Sequence, residues 1–444
     1  MDYQVLIVGG GIHGVGLLHD LSSRKIKGVH LVEKNLLASG TSSRSTKLIH
    51  GGFRYLEHLN QWKLVREALS ERKILLKIIP ELVKPRSFIL PNLKKGKFPP
   101  WMIRTGLFVY DFFASDEAIP SAKSIQKNKI QEFAPYLKQN FIDEKVSSAF
   151  LYYDAQMIDD VIVRIVAQAS VYLGATYEEK TEVIHVESHF DHYRVTLKKN
   201  NETWTVTTKV LVNACGAWNN ENLIRWNIVP KISCLLNLGS HLLFSKNVFP
   251  AENFDSISAT IFQENDGRVV FFIPWNGNWL LGTTESILPK EPDHVKVPQY
   301  DYEYLMNSAE NYLNLTDPKK NIIESFAGVR CMPLLKNKMN EVKFNEKWKS
   351  DPFSSPFYIN KMEKNISSLS RELVISENPG NIFSIYGGKF TTYRAQMEKL
   401  GAHLSRILKS GTVSKTNLKS DWNLEKMLEE HPNIFQTSKS LRQM

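Results

Sequence analysis

Cysteine is scarce in this sequence, with three residues in 444. Cys215, Cys234 and Cys331 lie far apart and match no metal-binding spacing. The scarcity excludes a disulfide-stapled secreted scaffold, and it predicts reduced thiols buried as small apolar side chains. A reducing compartment, and so a cytoplasmic location, is expected.

Long apolar runs are missing as well. No uninterrupted run approaches the ~20 residues that a membrane-spanning helix requires. The first four residues, Met1 to Gln4, lead directly into the apolar segment Val5–Val8, so no secretory signal is expected. Any contact with a membrane should therefore be peripheral.

Positive charge is in excess, with 56 Lys+Arg against 46 Asp+Glu and a formal net charge of +10. The hydrophobic share of 42% and the charged share of 23% are typical of globular proteins and exclude a disordered or fibrous chain. A basic surface attracts nucleic acid, phosphorylated metabolites and acidic lipid alike. No nucleic-acid recognition motif accompanies the charge, so no nucleic-acid partner is expected.

The N-terminal segment predicts a β-α-β unit. Val5–Val8 is a fully apolar strand, residues 12–23 carry a helical pattern, and residues 29–32 form a second strand. Further on, residues 183–212 alternate like hairpin strands, and residues 232–282 are rich in short β segments. The fold class is therefore predicted as α/β plus α+β, with a parallel sheet and a separate antiparallel sheet.

A glycine motif of the GxGxxG type joins the first strand to the first helix. Gly9 permits the tight turn, Gly11 lets the backbone approach a pyrophosphate, and Gly14 lets helix and strand pack closely. Glu33, at the end of the second strand, is placed to accept hydrogen bonds from ribose hydroxyls. The helix N-terminus adds N–H groups and a positive dipole end. A dinucleotide site is predicted, and the motif alone leaves NAD and FAD open.

Three later segments favour a bulky ligand. Residues 38–47 form a run of small and hydroxyl side chains, and glycine junctions end apolar strands at Gly216 and at Gly387-Gly388.

Two helices are also predicted, one from Glu57 to Ile79 and one reaching Leu173 with Asp159 or Asp160 as N-cap.

The stretch Ser42 to Glu57, SSRSTKLIHGGFRYLE, resembles the FAD-dependent glycerol-3-phosphate dehydrogenases, a branch of the glycine-oxidase-like flavoproteins. The resemblance covers residues 1 to about 405. It continues through further short motifs, namely Pro100–Arg104, Gly239–His241, Phe272–Trp275, Gly282–Thr284, Gly328–Arg330 and Gly387–Arg394.

The resemblance implies a Rossmann-like FAD-binding domain interrupted by an antiparallel-sheet substrate domain. We assign residues 1–60, 145–225 and 375–408 to the FAD domain, 61–144 and 226–374 to the substrate domain with its insertions, and 409–444 to a tail. The helical C-terminal domain of the family's bacterial members is expected to be largely absent. The expected FAD contacts come from residues spread over the chain: Gly9, Gly11, Gly14, Glu33, Thr41, Ser42, Ser43, Lys47, Leu48, His50, Val183, Ala214, Gly216, Gly388 and Thr391.

The activity that the resemblance implies is oxidation of sn-glycerol 3-phosphate to dihydroxyacetone phosphate, with hydride passing from C2 to flavin N5 and electrons to a quinone. The expected substrate-binding residues are Arg54, Tyr55, His241, Arg330 and Lys389. His241 is the candidate base, and Arg330 is the second candidate catalytic residue. The sequence leaves open which cation holds the phosphate.

Two alternatives to this activity remain at the sequence level. One is an oxidase that passes electrons to oxygen, and the other is a degenerate flavin-binding protein without catalysis. A further expectation concerns residues 94–110, where lysines precede Trp101, Met102 and Phe108. These residues favour either peripheral attachment to the cytoplasmic face of a membrane or packing of the aromatics in the core.

Overall fold

The structure is a computed structural model of the chain. It describes residues 1–52, 61–96, 98–114, 119–251, 253–288, 292–293, 295–334, 372–378 and 380–412. The predicted site residues Arg54 and Tyr55 and the tail from residue 413 lie outside the described residues.

The strands are β1 (Tyr3–Val8), β2 (Val29–Glu33), β3 (Leu48–Ile49), β4 (Val83–Leu93), β5 (Lys123–Ile125), β6 (Val146–Met157), β7 (Thr176–Glu179), β8 (Glu182–Ser188), β9 (Tyr193–Lys199), β10 (Glu202–Asn213), β11 (Ser233–Phe244), β12 (Ala259–Gln263), β13 (Val269–Trp275), β14 (Asn278–Gly282), β15 (Ser286–Ile287), β16 (Ile322–Leu334), β17 (Val374–Asn378) and β18 (Ile382–Tyr386).

The helices are α1 (Ile12–Ser23), α2 (Trp62–Ile78), α3 (Pro100–Ala114), α4 (Ile130–Phe133), α5 (Gln139–Lys145), α6 (Asp159–Tyr172), α7 (Asn219–Arg225), α8 (Gln299–Tyr312) and α9 (Tyr393–Ile407).

The first sheet has the strand order β17-β18-β10-β1-β2-β7, with β9 added beside β10 and β8 beside β9. Strands β18, β10, β1, β2 and β7 pair in parallel, and the additions are antiparallel. Alternate residues of β1 face opposite cores: Val5 and Ile7 pack with α1, α6 and α9, while Leu6 and Val8 pack with the β8–β9 hairpin. Both faces are covered, which explains why β1 is apolar at every position from Val5 to Val8. The predicted β-α-β opening is confirmed.

The second sheet has the order β15-β11-β14-β13-β12-β4-β6-β3, with β16 paired to β11 and β5 paired to β6. Its pairs are antiparallel except for β12 with β4. Two buried clusters lie against its faces, one around Trp279 and Phe272 and the other around Tyr110 and Phe88. The predicted combination of a parallel sheet and a distinct antiparallel sheet is confirmed.

Two local predictions differ from the structure. Strand β6 belongs to the second sheet through its pairing with β4, although residues 145–225 were assigned to the FAD domain. The domain limits themselves stay a prediction. At the start of α6 the N-cap is Ile158, not Asp159 or Asp160, because both aspartates lie inside the first helical turn.

Candidate active site

The glycine turn between β1 and α1 is closely packed against β10. Gly9 has a φ of +111°, and a Cβ added to Gly14 would lie 1.9 Å from the carbonyl oxygen of Gly9. Only glycine lets helix and strand approach this closely. A Cβ on Gly11, in contrast, would meet only the Ser42 hydroxyl, at 3.2 Å, within the described protein.

Glu33 lies beside this turn at the end of β2. Its carboxylate accepts hydrogen bonds from the backbone N–H of Gly10 at 2.6 Å and of Asn35 at 2.8 Å. Burial raises the pKa of Glu33, and these two backbone N–H groups oppose the shift. The carboxylate therefore closes the loop between β1 and β2, and its predicted role toward a ribose stays a prediction.

The other predicted contacts on this side approach the same turn. The carbonyl of Ala214 lies 2.7 Å from the Cβ position of Gly9, and Gly216 follows with a φ of +58°. Gly388 lies against His13 of the glycine motif, since a Cβ on Gly388 would be 2.6 Å from His13 Nε2. Thr391 accepts a long hydrogen bond of 3.4 Å from the backbone N–H of His50. The structure thus brings these distant segments together around the N-terminus of α1.

Residues 41–47 connect the glycine turn to the second sheet, and we call them the bridging segment. The Ser42 hydroxyl accepts a hydrogen bond of 2.9 Å from the N–H of Ile12, the first residue of α1. The Thr41 hydroxyl donates at 2.6 Å to the carbonyl of Val329 in β16. The bridging segment therefore contacts both the predicted cofactor turn and the predicted substrate strand.

Lys47, a predicted FAD contact, is engaged elsewhere in this structure. Its ammonium is buried and lies 2.8 and 2.9 Å from the two carboxylate oxygens of Asp159. It also donates to the Ser43 carbonyl. Leu48, in β3, and Val183, in β8, are both buried in apolar clusters. The structure does not bring the side chain of Lys47 to the glycine turn.

Three sequence motifs meet on adjacent strands of the second sheet. His241 of β11 pairs with Gly282 of β14 and with Phe326 of β16, and Asn237 of β11 pairs with Arg330 of β16. A Cβ on Gly282 would lie 2.3 Å from the His241 ring, so glycine makes room for the imidazole. The two predicted catalytic residues are therefore positioned by one strand and its neighbours.

The His241 side chain is fully buried. Its ring stacks on Phe326 with 4.9 Å between the ring centroids, and its Nε2 lies 3.0 Å from the Thr46 hydroxyl. Burial lowers the pKa of His241 well below its ordinary value, and the charges of Arg330 and Lys47 add to this effect. The imidazole is therefore neutral at physiological pH.

Arg330 is half-buried and is oriented by two side chains. Its Nη1 donates to the Asn237 side-chain oxygen at 2.7 Å, and its Nη2 donates to the Thr283 hydroxyl at 3.2 Å. Both of these hydrogen-bonding partners are neutral side chains, and they hold the planar guanidinium in a fixed orientation. Lys389, also half-buried, follows Gly388 at the other predicted wall of the site.

Several residues of the arrangement escaped the sequence reasoning. Thr46, Asn237 and Thr283 contact the predicted catalytic pair. Asp301 links β11 to the segment after β14, because it accepts hydrogen bonds from the hydroxyls of Ser240, Thr284 and Ser286. Thr46 and Thr283 lie in sequence motifs that carry the family resemblance, but no spacing rule singles out Asn237 or Asp301.

Cys234 and Cys331, distant in sequence, have their sulfur atoms 3.0 Å apart, and both thiols are free.

The residues at the glycine turn fit a dinucleotide pyrophosphate. The N-cap of α1 is Gly11, whose backbone is extended, and the helix carries no acidic residue in its first turn. The positive end of the helix dipole and the space beside Gly11 suit a pyrophosphate. Gly216, Gly387 and Gly388 all have a positive φ. A Cβ added to Gly216 would meet no atom of the described residues within 4 Å, whereas one on Gly387 would lie 2.5 Å from the carbonyl oxygen of Glu372, so of these three glycines only Gly216 leaves the backbone open to a ligand.

Comparison with known proteins extends this result. A family model described as FAD dependent oxidoreductase (DAO) matches residues 4–348. The glycerol-3-phosphate dehydrogenase of Pseudomonas tolaasii is 31% identical over 411 residues, which are 91% of this chain and 71% of that protein. The D-erythritol 1-phosphate dehydrogenase of Brucella abortus is 30% identical over 409 residues, covering 90% and 73%.

A solved structure shares the fold. The glycerol-3-phosphate dehydrogenase from Bacillus halodurans, complexed with FAD, superposes with a TM-score of 0.69 and 22% identity. The superposition covers 97% of this chain and 71% of that chain. Both sheets therefore have their counterparts in one known architecture.

Proposed function

The chain belongs to the FAD dependent oxidoreductase family, and from that premise we propose that it oxidises sn-glycerol 3-phosphate to dihydroxyacetone phosphate. One observation carries the proposal: strand pairing puts His241 and Arg330 on neighbouring strands, and both strands contact the bridging segment, which also contacts the glycine turn. A cation for an anionic substrate and an imidazole for its hydroxyl proton thereby lie beside the predicted flavin site. The names of the relatives supply the substrate class.

FAD, when bound, supplies the acceptor for the hydride that leaves C2 of the substrate. Its pyrophosphate would lie against Gly11, where the turn at Gly9 and the close packing at Gly14 hold the backbone in place, and Gly388 would face its ring. The remaining work belongs to side chains of this chain. Arg330 and Lys389, together with Arg54 outside the described residues, supply positive charge for the phosphate and the C2 oxygen. His241 takes the hydroxyl proton.

Arginine suits this task because its planar fork matches the geometry of a phosphate. Asn237 and Thr283 fix the orientation of Arg330 before the substrate arrives, so less entropy is lost on binding. The neutral state of His241 leaves one ring nitrogen able to accept a proton. The site is therefore preorganised for an anionic secondary alcohol.

The experiment uses the absorption of the bound flavin. Purified protein should be yellow, and anaerobic addition of sn-glycerol 3-phosphate should bleach the flavin bands while glycerol does not. D-erythritol 1-phosphate is the matched competitor, because a relative that acts on it is almost as similar. Faster bleaching by D-erythritol 1-phosphate would move the substrate assignment to the longer polyol phosphate, and a flavin that neither compound bleaches would support a non-catalytic role.

We propose that a quinone accepts the electrons of the reduced flavin. An oxidase using oxygen is the alternative, and the two differ in a direct measurement. Turnover with a short-chain quinone under nitrogen should proceed at the full rate. Stoichiometric hydrogen peroxide in air with no response to the quinone would identify an oxidase instead.

A quinone acceptor favours work at the cytoplasmic face of a membrane, and the surface of α3 supports this proposal. Trp101, Phe108 and Phe112 lie along one face of the helix and are 65%, 71% and 69% exposed, while Tyr110 on the other face is buried. Lys94 and Lys95 precede the helix. Exposed aromatics beside basic residues suit an interface with anionic lipid. No helix in the part of the chain that the structure describes is long and apolar enough to cross a bilayer.

A further inference from the structure

His241 is shielded from the space that a substrate would enter. Its side chain has no exposed surface, because protein atoms alone cover it. One face of the ring lies on Phe326, and Gly282 of the neighbouring strand approaches the ring edge. A substrate hydroxyl therefore has no direct contact with the imidazole in this arrangement.

Thr46 contacts His241 and is itself partly exposed. Its hydroxyl lies 3.0 Å from His241 Nε2, and the residue is half-buried, so part of its surface is accessible. Thr46 belongs to the bridging segment, between Ser42, which touches the start of α1, and Lys47, which is fixed by Asp159. The segment that carries the Thr46 hydroxyl is therefore anchored on both sides of Thr46.

We infer that Thr46 is a catalytic residue, a proton relay between the C2 hydroxyl of the substrate and the buried His241. The inference rests on the proposed function. As C2 loses a hydride, with the electron pair of its C–H bond, to the oxidised flavin, the C2 hydroxyl gives its proton to Thr46 Oγ1. The Thr46 hydroxyl gives its own proton to His241 Nε2. A carbonyl forms at C2, the threonine is unchanged, and the imidazole gains one proton.

A hydroxyl suits this position because it donates and accepts at the same time. In the neutral imidazole one nitrogen accepts while the other holds its proton, so Nε2 receives the Thr46 proton in one of the two tautomers. The hydroxyl oxygen then has a lone pair for the hydrogen bond from the substrate. The proton therefore reaches the buried imidazole in two short transfers, first to Thr46 and then to His241.

The charges around His241 couple the relay to substrate binding. The charged groups that face the ring are Arg330, from β16, and Lys47, from the bridging segment, with Asp159 of α6 pairing Lys47. The two cations disfavour an imidazolium, and the Gly239 backbone acts in the opposite direction. A substrate phosphate or a developing alkoxide at Arg330 offsets one of these charges. The histidine therefore becomes a stronger base when the substrate is bound.

The test compares Thr46→Val, which is nearly isosteric but has no hydroxyl, with Thr46→Ser, which keeps one. The rate of anaerobic flavin reduction by sn-glycerol 3-phosphate should fall about 100-fold or more in Thr46→Val, the usual range for a lost acid–base group. Thr46→Ser should keep most of the rate. FAD content and thermal midpoint should match the wild type in both variants, which separates the relay from a structural role.

A second measurement counts the protons that are transferred during flavin reduction. In mixtures of H2O and D2O, the reduction rate of the wild type should curve with deuterium fraction, as expected for two transferred protons, and the curvature should vanish in Thr46→Val. Unchanged reduction in Thr46→Val, equal loss in both variants, or loss of FAD in both would overturn the relay. Failure of the proposed function is distinct, because the wild-type flavin would then not be reduced by this substrate at all.

Discussion

At the scale of single residues, two glycines of the β1–α1 turn serve different purposes. Gly11 has an extended backbone that alanine also adopts, and an added Cβ meets only the Ser42 hydroxyl. Gly14 has no such room, since its Cβ would lie 1.9 Å from the Gly9 carbonyl oxygen. The fold therefore requires Gly14, whereas we propose that Gly11 is needed for the approach of the pyrophosphate.

Gly11→Ala should yield protein with a nearly normal thermal midpoint but little bound FAD, because the methyl group occupies the pyrophosphate position. Gly14→Ala should reduce the soluble yield and the thermal midpoint whether or not FAD is added. The measurements are the flavin-to-protein absorbance ratio and thermal unfolding. Full FAD content in Gly11→Ala would place the pyrophosphate elsewhere.

Arg330 gives a second prediction at this scale. Arg330→Ala should lower kcat/KM for sn-glycerol 3-phosphate at least about tenfold, because a lost hydrogen bond to a charged group costs about 1.5–3 kcal/mol. Arg194→Ala, which removes a half-exposed arginine from β9, is the matched control and should leave the rate unchanged. If Arg330→Ala and Arg194→Ala behave alike, Arg330 does not bind the substrate.

At the scale of elements, α2 supports two segments that lie near the predicted site, α9 and the backbone after β3. Its Glu71 accepts two hydrogen bonds, of 2.7 and 3.0 Å, from Arg394 at the start of α9. The next residue, Arg72, is buried and pairs with Asp154 of β6, which also accepts from the Tyr110 hydroxyl. That hydroxyl in turn accepts a hydrogen bond from the N–H of Gly51. One helix thus supports α9 and the backbone that follows β3.

The Glu71–Arg394 pair is buried, so its two single variants should differ from the double variant. Burial raises the pKa of Glu71, and Arg394 opposes this shift. Arg394→Met leaves the carboxylate without its partner and should reduce the free energy of unfolding by about 3–5 kcal/mol. Glu71→Leu with Arg394→Met should recover most of the loss in chemical denaturation. Additive effects of the two substitutions would contradict a direct pair.

The outer face of α3 is tested with vesicles. Serine substitutions at Trp101, Phe108 and Phe112 together should abolish sedimentation with anionic liposomes at low ionic strength, since they remove the apolar anchor. Phe190→Ser is the control, because Phe190 is fully exposed but lies on the β8–β9 hairpin. Lys94→Glu with Lys95→Glu should weaken binding in a salt-dependent way. Sedimentation that survives both sets of changes would exclude this surface.

Residues 94–110 were expected either to contact a membrane or to pack their aromatic side chains in the core, and the structure tests the second expectation. Trp101, Met102 and Phe108 are exposed, so the prediction that they pack in the core is wrong. The membrane contact itself stays a prediction.

At the scale of the whole molecule, buried histidines make stability depend on pH. Desolvation lowers the pKa of His19, which is buried, and of His13, which is half-buried, to about 4, from an ordinary value of 6.5. Between these values the unfolded chain binds more protons than the folded one, so stability falls as the pH falls from 6.5 towards 4. The slope is about 1.4 kcal/mol per pH unit for each histidine.

The thermal midpoint should therefore decrease steadily below pH 6.5. His19→Gln should show a shallower decrease than the wild type, whereas His185→Gln, on the exposed side of β8, serves as the control. A midpoint that does not change between pH 6.5 and 4.5 would contradict neutral buried histidines in the folded protein.

Local patterns predicted part of this molecule. The glycine turn, its flanking strands and α1 follow from short-range periodicity and from glycine chemistry, and the structure agrees with them. The pairing of Asn237 with Arg330 follows from strand register across 93 positions, and the side-chain contact of Thr46 with His241 joins residues 195 positions apart. Register is decided by the packing of complete sheets, so no local pattern contains it. The same reason explains why the proximity of Cys234 and Cys331 was missed.

The interleaving of the two sheets also has a consequence for biosynthesis. The first sheet begins with β1, but β18 and α9 come after the strands of the second sheet and complete the wall opposite the glycine turn. A nascent chain on the ribosome has formed β1, α1 and β2 long before residues 382–407 emerge. Because Gly388 and Thr391 are predicted FAD contacts, we expect FAD to be retained only after this late segment has docked beside β10. Chains that are truncated after β17 and released should therefore contain no FAD, even where their earlier strands have paired.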